Sequence, residues 1–191
     1  MSVTVIPQVR ADVERNRATI LGAAIILLGQ HPQSSMQQVA DAAGLNRATL
    51  YRHFRNRDDL LAALQAKALA DSAALAETIP TDGPALPALL EYLEAAITVG
   101  ERYRFISMAP RTEPSLFGAE GRALRPVAAA VRRGQAQGEF DPHLDPGFVA
   151  GLVVMLVIEV VGVVERGSLS FEDARAQAMR TFGNVLRARR G

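Results

Sequence analysis

The stretch Ser34–Leu61, SSMQQVADAAGLNRATLYRHFRNRDDLL, decides how this chain is read. Ser35 followed by Gln38 fits a capping box, in which the hydroxyl and the amide each satisfy an orphan backbone N–H. The helix opened there is short and is expected to end at Gly44. Glycine tolerates the left-handed conformation that closes a helix, and Leu45 can tuck back against it. Asn46 caps a second helix, RATLYRHF. Asn56 caps a third, with Asp58 and Asp59 in its first turn, where acids favour the helix dipole. The same stretch carries four arginines and a histidine, with no acid between Asp41 and Asp58.

Two short helices joined by a tight glycine turn are helix-turn-helix architecture, whose second helix enters the major groove of DNA. At 100° per residue, Leu50 and Phe54 share one face and must point inward with Val39, Ala40 and Ala43. Ala48 and Arg52 lie opposite, flanked by Thr49 and Tyr51. Ala48 is small enough to approach a base edge or a thymine methyl, Arg52 can donate to a guanine, and Thr49 to a base or a phosphate. Tyr51, His53 and Arg57 are donors placed where phosphates would run. The positive charge then has a use, as the electrostatic footprint of a duplex.

Outside that stretch the chain reads as helical throughout. Of its 191 residues 49% are hydrophobic and only 5% aromatic, so the core is built from Ala, Leu and Val. Nothing alternates apolar and polar residues for long, as strands would. A first helix is expected from near Asp12 to Leu28, with Ile20, Leu21, Ala24, Leu27 and Leu28 on one face. The third capped helix should run to about Thr78, and ALPALLEYLEAAITVGERY forms a fifth. FISMAPRTEPSLFGAEG is irregular, broken by Pro110 and Pro114. A helix from about Leu116 or Glu120 to Gln137 follows, with Pro126 as a kink or a start. Asp145 caps the next helix, and the last spans about Phe171 to Arg189 with Ala174, Ala178, Phe182, Val185 and Leu186 on its apolar face.

The net charge of +1 carries no message by itself, because the distribution matters more than the sum. Lys67 is the only lysine, which reflects codon bias before function. With no cysteine, disulfides, thiolate catalysis and cysteine-held metal sites are excluded. The N-terminus lacks a basic stretch followed by an apolar core, so no secretory signal is visible and a cytoplasmic location is expected. Phe148–Val164, FVAGLVVMLVIEVVGVV, is shorter than the ~20 apolar residues of a spanning helix and contains Glu159. A helix buried at an interface is expected there, with no membrane partner.

The segment from about Arg17 to Leu61 resembles the N-terminal domain of the tetracycline-repressor (TetR-type) family. ILGAAIILL, SMQQVADAAGLNRATLYRHFRNRDDLL and their order carry the resemblance over roughly a quarter of the chain, and VADAAGL followed by LYRHF is its most specific part. The resemblance implies that Ser35 bonds a phosphate and Gln37 approaches the groove. It implies that Arg47, Ala48 and Thr49 read bases, while Tyr51, His53 and Arg57 hold phosphates. Leu28 stands where the family often has phenylalanine and Pro32 where it often has glycine; both bear on the loop path and leave the DNA contacts untouched.

The family's C-terminal domain dimerises and holds a small-molecule pocket. Here the last two long helices, Pro146–Arg166 and Phe171–Arg189, can pair with their copies, Gly151 and Gly162 allowing close approach. The alternative is that the apolar run is simply the domain's own core. Tyr92, Tyr103, Phe105, Met108 and Phe117 are candidate pocket lining, with Glu94, Arg104 and Glu113 as polar handles. The three histidines, His31, His53 and His143, lack metal-ligand spacing. The DPHLD segment, Asp141–Asp145, reads as a loop with a helix cap before it reads as a metal site. No phosphate-cradling glycine loop or serine-nucleophile elbow occurs, so an enzyme is not expected.

The expected architecture is all-α with about nine helices: a three-helix helix-turn-helix domain over 1–56, then a larger ligand-binding and dimerisation domain over 57–191. The expected function is a ligand-released repressor, a homodimer on a near-palindromic operator, with no cofactor and an unknown small-molecule effector. The competing class is a DNA-architectural or protein-interaction module without an effector. It would have a solidly filled second domain.

Overall fold

A computed structural model describes residues 6–107, 121 and 123–187. Among them are nine helices and no strand: α1 (Ile6–Gln30), α2 (Met36–Ala42), α3 (Arg47–His53), α4 (Arg57–Ala76), α5 (Ala85–Arg102), α6 (Arg104–Ser107), α7 (Arg125–Ala136), α8 (Pro146–Glu165) and α9 (Phe171–Leu186). The described chain forms two compact units. Residues 6–67 with 105–107 make the first, and 68–104 with 121 and 123–187 make the second. The helix α4 contributes to both along its length.

In the first unit, α1 begins six residues before the expected Asp12, because nothing in IPQVRA opposes a helix once Pro7 sits in its first turn, where no N–H is needed. Ile20, Leu21, Ala24, Ile25 and Leu28 of α1 are buried, as are Val39, Ala40, Leu50, Phe54, Leu60 and Leu64. Leu27 is only half-buried, at the margin of the face where Ile25 lies inside. The capping box at Ser35 is formed in full, and Gly44 takes φ +66°. The Leu45 N–H then donates to Ala40 O at 3.0 Å, closing the turn.

The second unit is built around α5, α7, α8 and α9, whose buried residues form one core including Leu89, Leu93, Val131, Phe140, Val153 and Phe182. Two close approaches depend on glycine. A Cβ on Gly100 would stand 2.3 Å from Val157 Cγ1, and one on Gly134 would stand 2.2 Å from two carbons of the Phe140 ring. Glu139 supplies the cap that α5 lacks locally, its carboxylate accepting from the N–H groups of Ala85 (3.2 Å) and Leu86 (3.0 Å). An anion at a helix N-terminus is also favoured by the dipole. Pro126 stands at the start of α7, not at a kink. In DPHLD, Asp141 accepts from the His143 N–H (2.9 Å) and Asp145 from the Phe148 N–H (2.7 Å), so both acids serve loop and cap.

The helix α8 is long and apolar enough to cross a membrane, with a mean hydropathy of 2.6, yet only 28% of that window is buried within the chain. Val149, Ala150, Val153, Val160 and Val161 point into the core, while Phe148 and Met155 are exposed. On α9, Ala174, Ala178, Phe182 and Leu186 are buried as expected, but Val185 is exposed. Helical spacing places Val185 between Ala174 and Ala178 on that face, so its exposure comes from its place at the end of α9, one residue before the last.

Candidate nucleic-acid interface

The geometry of α3 follows from its cap. The Asn46 side-chain oxygen accepts from the Thr49 N–H at 2.8 Å, which starts the helix there and fixes the face each residue takes. Leu50 is then fully buried and Phe54 is 1% exposed. Burying two such side chains stabilises by ~1.5–3 kcal/mol each, enough to pin the rotation of a seven-residue helix. Arg47, Ala48 and Arg52 are left exposed, with Thr49, Tyr51 and His53 half-buried beside them. Ser35 and Gln37 of the preceding helix are also exposed.

The four arginines of this stretch divide by partner. Arg55 pairs with Asp59 at 2.8 Å, and that hydrogen bond holds the Asp59 carboxyl below its ordinary range. Arg57 donates from its two terminal nitrogens to the backbone carbonyls of Ser34 and Pro32. Arg47 lies over the Tyr51 ring, 5.2 Å from its centroid. Arg52 makes no ion pair among the described residues and points away from the buried face. So two cations are committed to the fold and two remain presented outward.

The hydrogen bonds of α2 show what each expected contact must share. Ser35 Oγ accepts from the Gln38 N–H at 3.3 Å and lies 3.0 Å from Gln38 Oε1. Gln37 Nε2 donates to Asp41 Oδ1 at 2.8 Å, so its amide is held along the helix. Arg17 was not anticipated as a packing residue. Its guanidinium lies 4.7 Å from the Phe54 ring centroid, covering the end of α3 from α1.

Three of the five candidate pocket residues are among the described residues. Tyr92 and Tyr103 are buried in the second unit, Phe105 is buried but counted with the first, and Met108 and Phe117 lie outside the described residues, as does Glu113. Tyr103 Oη donates to Asp71 Oδ2 of α4 at 2.5 Å, a partner that sequence reading missed because 32 residues separate them. Glu94 pairs on the surface with Arg175, and Arg104 with Glu101 at 2.7 Å. The second carboxylate oxygen of Glu101 is buried without a hydrogen-bond partner among the described residues. Burial pushes the Tyr92 phenol up to about 12. Burial and the bond to Asp71 together raise Tyr103.

A buried apolar face, a capped start and an outward cationic face, following a short capped helix and a left-handed glycine, define the first unit as a helix-turn-helix module. Residues 20–64, which hold the helix-turn-helix, match the model of bacterial regulatory proteins of the tetR family. The HTH-type transcriptional repressor LfrR of Mycolicibacterium smegmatis is 37% identical over 99 residues. That match takes in 51% of this chain and 52% of LfrR, so it spans about half the length of the curated relative. A crystal structure of the TetR-like regulator LfrR from Mycobacterium smegmatis in complex with proflavine has a TM-score of 0.71 and 25% identity, covering 92% of this chain and 98% of that one. A TetR-family regulator from Pectobacterium atrosepticum shares the fold, with TM-score 0.69 and 20% identity over 93% of this chain and 95% of its own.

Proposed function

We propose that this chain is a DNA-binding transcriptional regulator, a homodimeric repressor of a near-palindromic operator that a small molecule releases. The observation that carries the reading is the division of α3, with Leu50 and Phe54 hidden while Arg47, Ala48 and Arg52 face outward. In this role Arg47, Ala48, Thr49 and Arg52 meet base edges. A bidentate arginine–guanine contact is worth ~1–3 kcal/mol of discrimination. Ser35, Tyr51 and His53 hold phosphates, and Gln37 borders the groove. Such a regulator works in the cytoplasm, on DNA, and its family comprises regulatory proteins and not enzymes.

The exposed apolar side chains of α8 and α9, Phe148, Met155 and Val185, supply the surface for a second copy. A helix this apolar and this little covered within its own chain favours a partner. Two-fold symmetry then sets two copies of α3 about 34–36 Å apart, one turn of DNA. We assign the division of labour to 1–56 for DNA and 57–191 for dimerisation and effector binding.

For the effector, Tyr92 and Tyr103 offer aromatic surface, and Asp71 and Glu101 offer negative charge in the same unit. The relative LfrR was crystallised with proflavine, a planar aromatic cation, and this set of residues suits that class. Because Asp71 lies on α4 and bonds Tyr103, a ligand displacing Tyr103 acts directly on α4, which runs into the DNA-binding unit. A coupling of ~1–3 kcal/mol would lower operator affinity roughly 5- to 150-fold. The test is fluorescence anisotropy with a duplex selected by the protein, with and without proflavine. Weakened binding supports the reading, and unchanged affinity with proflavine demonstrably bound contradicts ligand release by this class.

A further inference from the structure

Ser34 is the buried polar residue of the described chain, 5% exposed, and it sits in the short connection between α1 and α2. That connection has little of its own to hold it. The His31 N–H returns to Leu27 O at 2.7 Å to finish α1, and the Ser34 N–H donates to His31 O at 3.0 Å. Pro32 has no N–H to contribute. The carbonyls of Pro32 and Ser34 are left to accept, and both receive the guanidinium of Arg57, which is 25 and 23 residues further on. Arg57 is the first residue of α4, placed there by the Asn56 cap, whose Oδ1 accepts from the Asp59 N–H at 2.8 Å.

The chemistry of the clamp is specific. Two carbonyls two residues apart match the planar fork of a guanidinium, whose donors are fixed relative to one another. An ammonium carries the same charge at a single point and does not reproduce that fork. The residue after Ser34 is Ser35, the N-cap of α2, held from its other side by Gln38. Arg57 and Gln38 therefore grip Ser35 from both directions, one through the chain and one through the capping box.

We infer that Arg57 is a positioning residue for DNA binding. It locks the start of α2 to the start of α4 and so fixes where Ser35 and the α2–α3 pair stand, and it does not itself neutralise a phosphate. This rests on the DNA-binding reading above. The positive charge of Arg57 is incidental to its task, and its shape is not.

The test is duplex binding by the full-length protein and its Arg57→Met and Arg57→Lys variants, measured against salt concentration below the melting temperature of each. The duplex is one selected by the native protein. The clamp predicts that both variants bind about 3- to 30-fold more weakly, that their salt dependence keeps the native slope, and that the loss is not additive with Ser35→Ala. Lysine does not rescue. A phosphate contact predicts instead a slope smaller by about one for Arg57→Met and near-native binding for Arg57→Lys, and either result overturns the inference. Native affinity in a folded Arg57→Met variant overturns it too. If Arg57→Met does not fold, Arg57→Lys decides alone. Failure of the native protein to bind any duplex is a different outcome, which removes the DNA-binding reading itself.

Discussion

The side-chain oxygen of Asn46 and the backbone N–H of Thr49 meet at 2.8 Å, and this bond sets the rotation of α3. Asn46→Ala should cost about 1 kcal/mol of stability, as N-cap losses do. A seven-residue helix has little intrinsic stability to absorb that loss. DNA affinity should therefore fall, while Asn46→Ser or Asn46→Asp largely preserves it. Thermal melts and anisotropy on the same duplex check both parts.

Phe140 occupies the space that a side chain on residue 134 would need. Gly134→Ala should destabilise the second unit by about 1–3 kcal/mol, the usual cost of forcing a core apart. Gly134→Ala combined with Phe140→Leu should recover part of the loss, because the ring is the obstacle. Denaturant melts of the three variants measure it.

Tyr92 and Tyr103 both have phenols raised by burial, Tyr92 to about 12. In the unfolded chain they ionise near 10, so stability is constant below that value and falls as pH rises through 10 towards 12. The signature is a melting temperature that drops steeply above pH ~10. Tyr103→Phe should lose roughly 1.5–3 kcal/mol at neutral pH with its bond to Asp71, and should show a shallower alkaline fall.

Phe148 and Met155 are exposed on the most apolar helix of the chain. Met155→Glu should shift the protein to monomers in sedimentation, since an uncompensated carboxylate at an apolar interface is costly. Single-site duplex binding should weaken with it, because two half-sites no longer act together. A dimer indifferent to Met155→Glu would place the interface elsewhere.

The local features of this chain were legible in its sequence. Ser35, Asn46, Asn56 and Asp145 all cap the helices that they announce, because a cap needs only the three residues after it. The inward placement of Leu50 and Phe54 follows from helical spacing alone. What escaped was long-range. Arg57 on the Pro32 and Ser34 carbonyls, Asp71 on Tyr103 and Glu139 on the start of α5 join residues 23 to 54 positions apart. On α8 only Glu159 interrupts the apolar run, and it marks the outward face that Phe148 and Met155 share.

If the outward face of α3 reads DNA sequence, stripping that face of its side chains abolishes sequence preference. The most direct measurement is enrichment of random-sequence duplexes by the purified protein at low ionic strength, repeated with Arg47, Thr49 and Arg52 all changed to alanine. The native protein should enrich one short motif in two inverted copies centred about one helical turn apart, and the triple variant should enrich none. No enrichment by the native protein, or the same motif recovered by the triple variant, would contradict it.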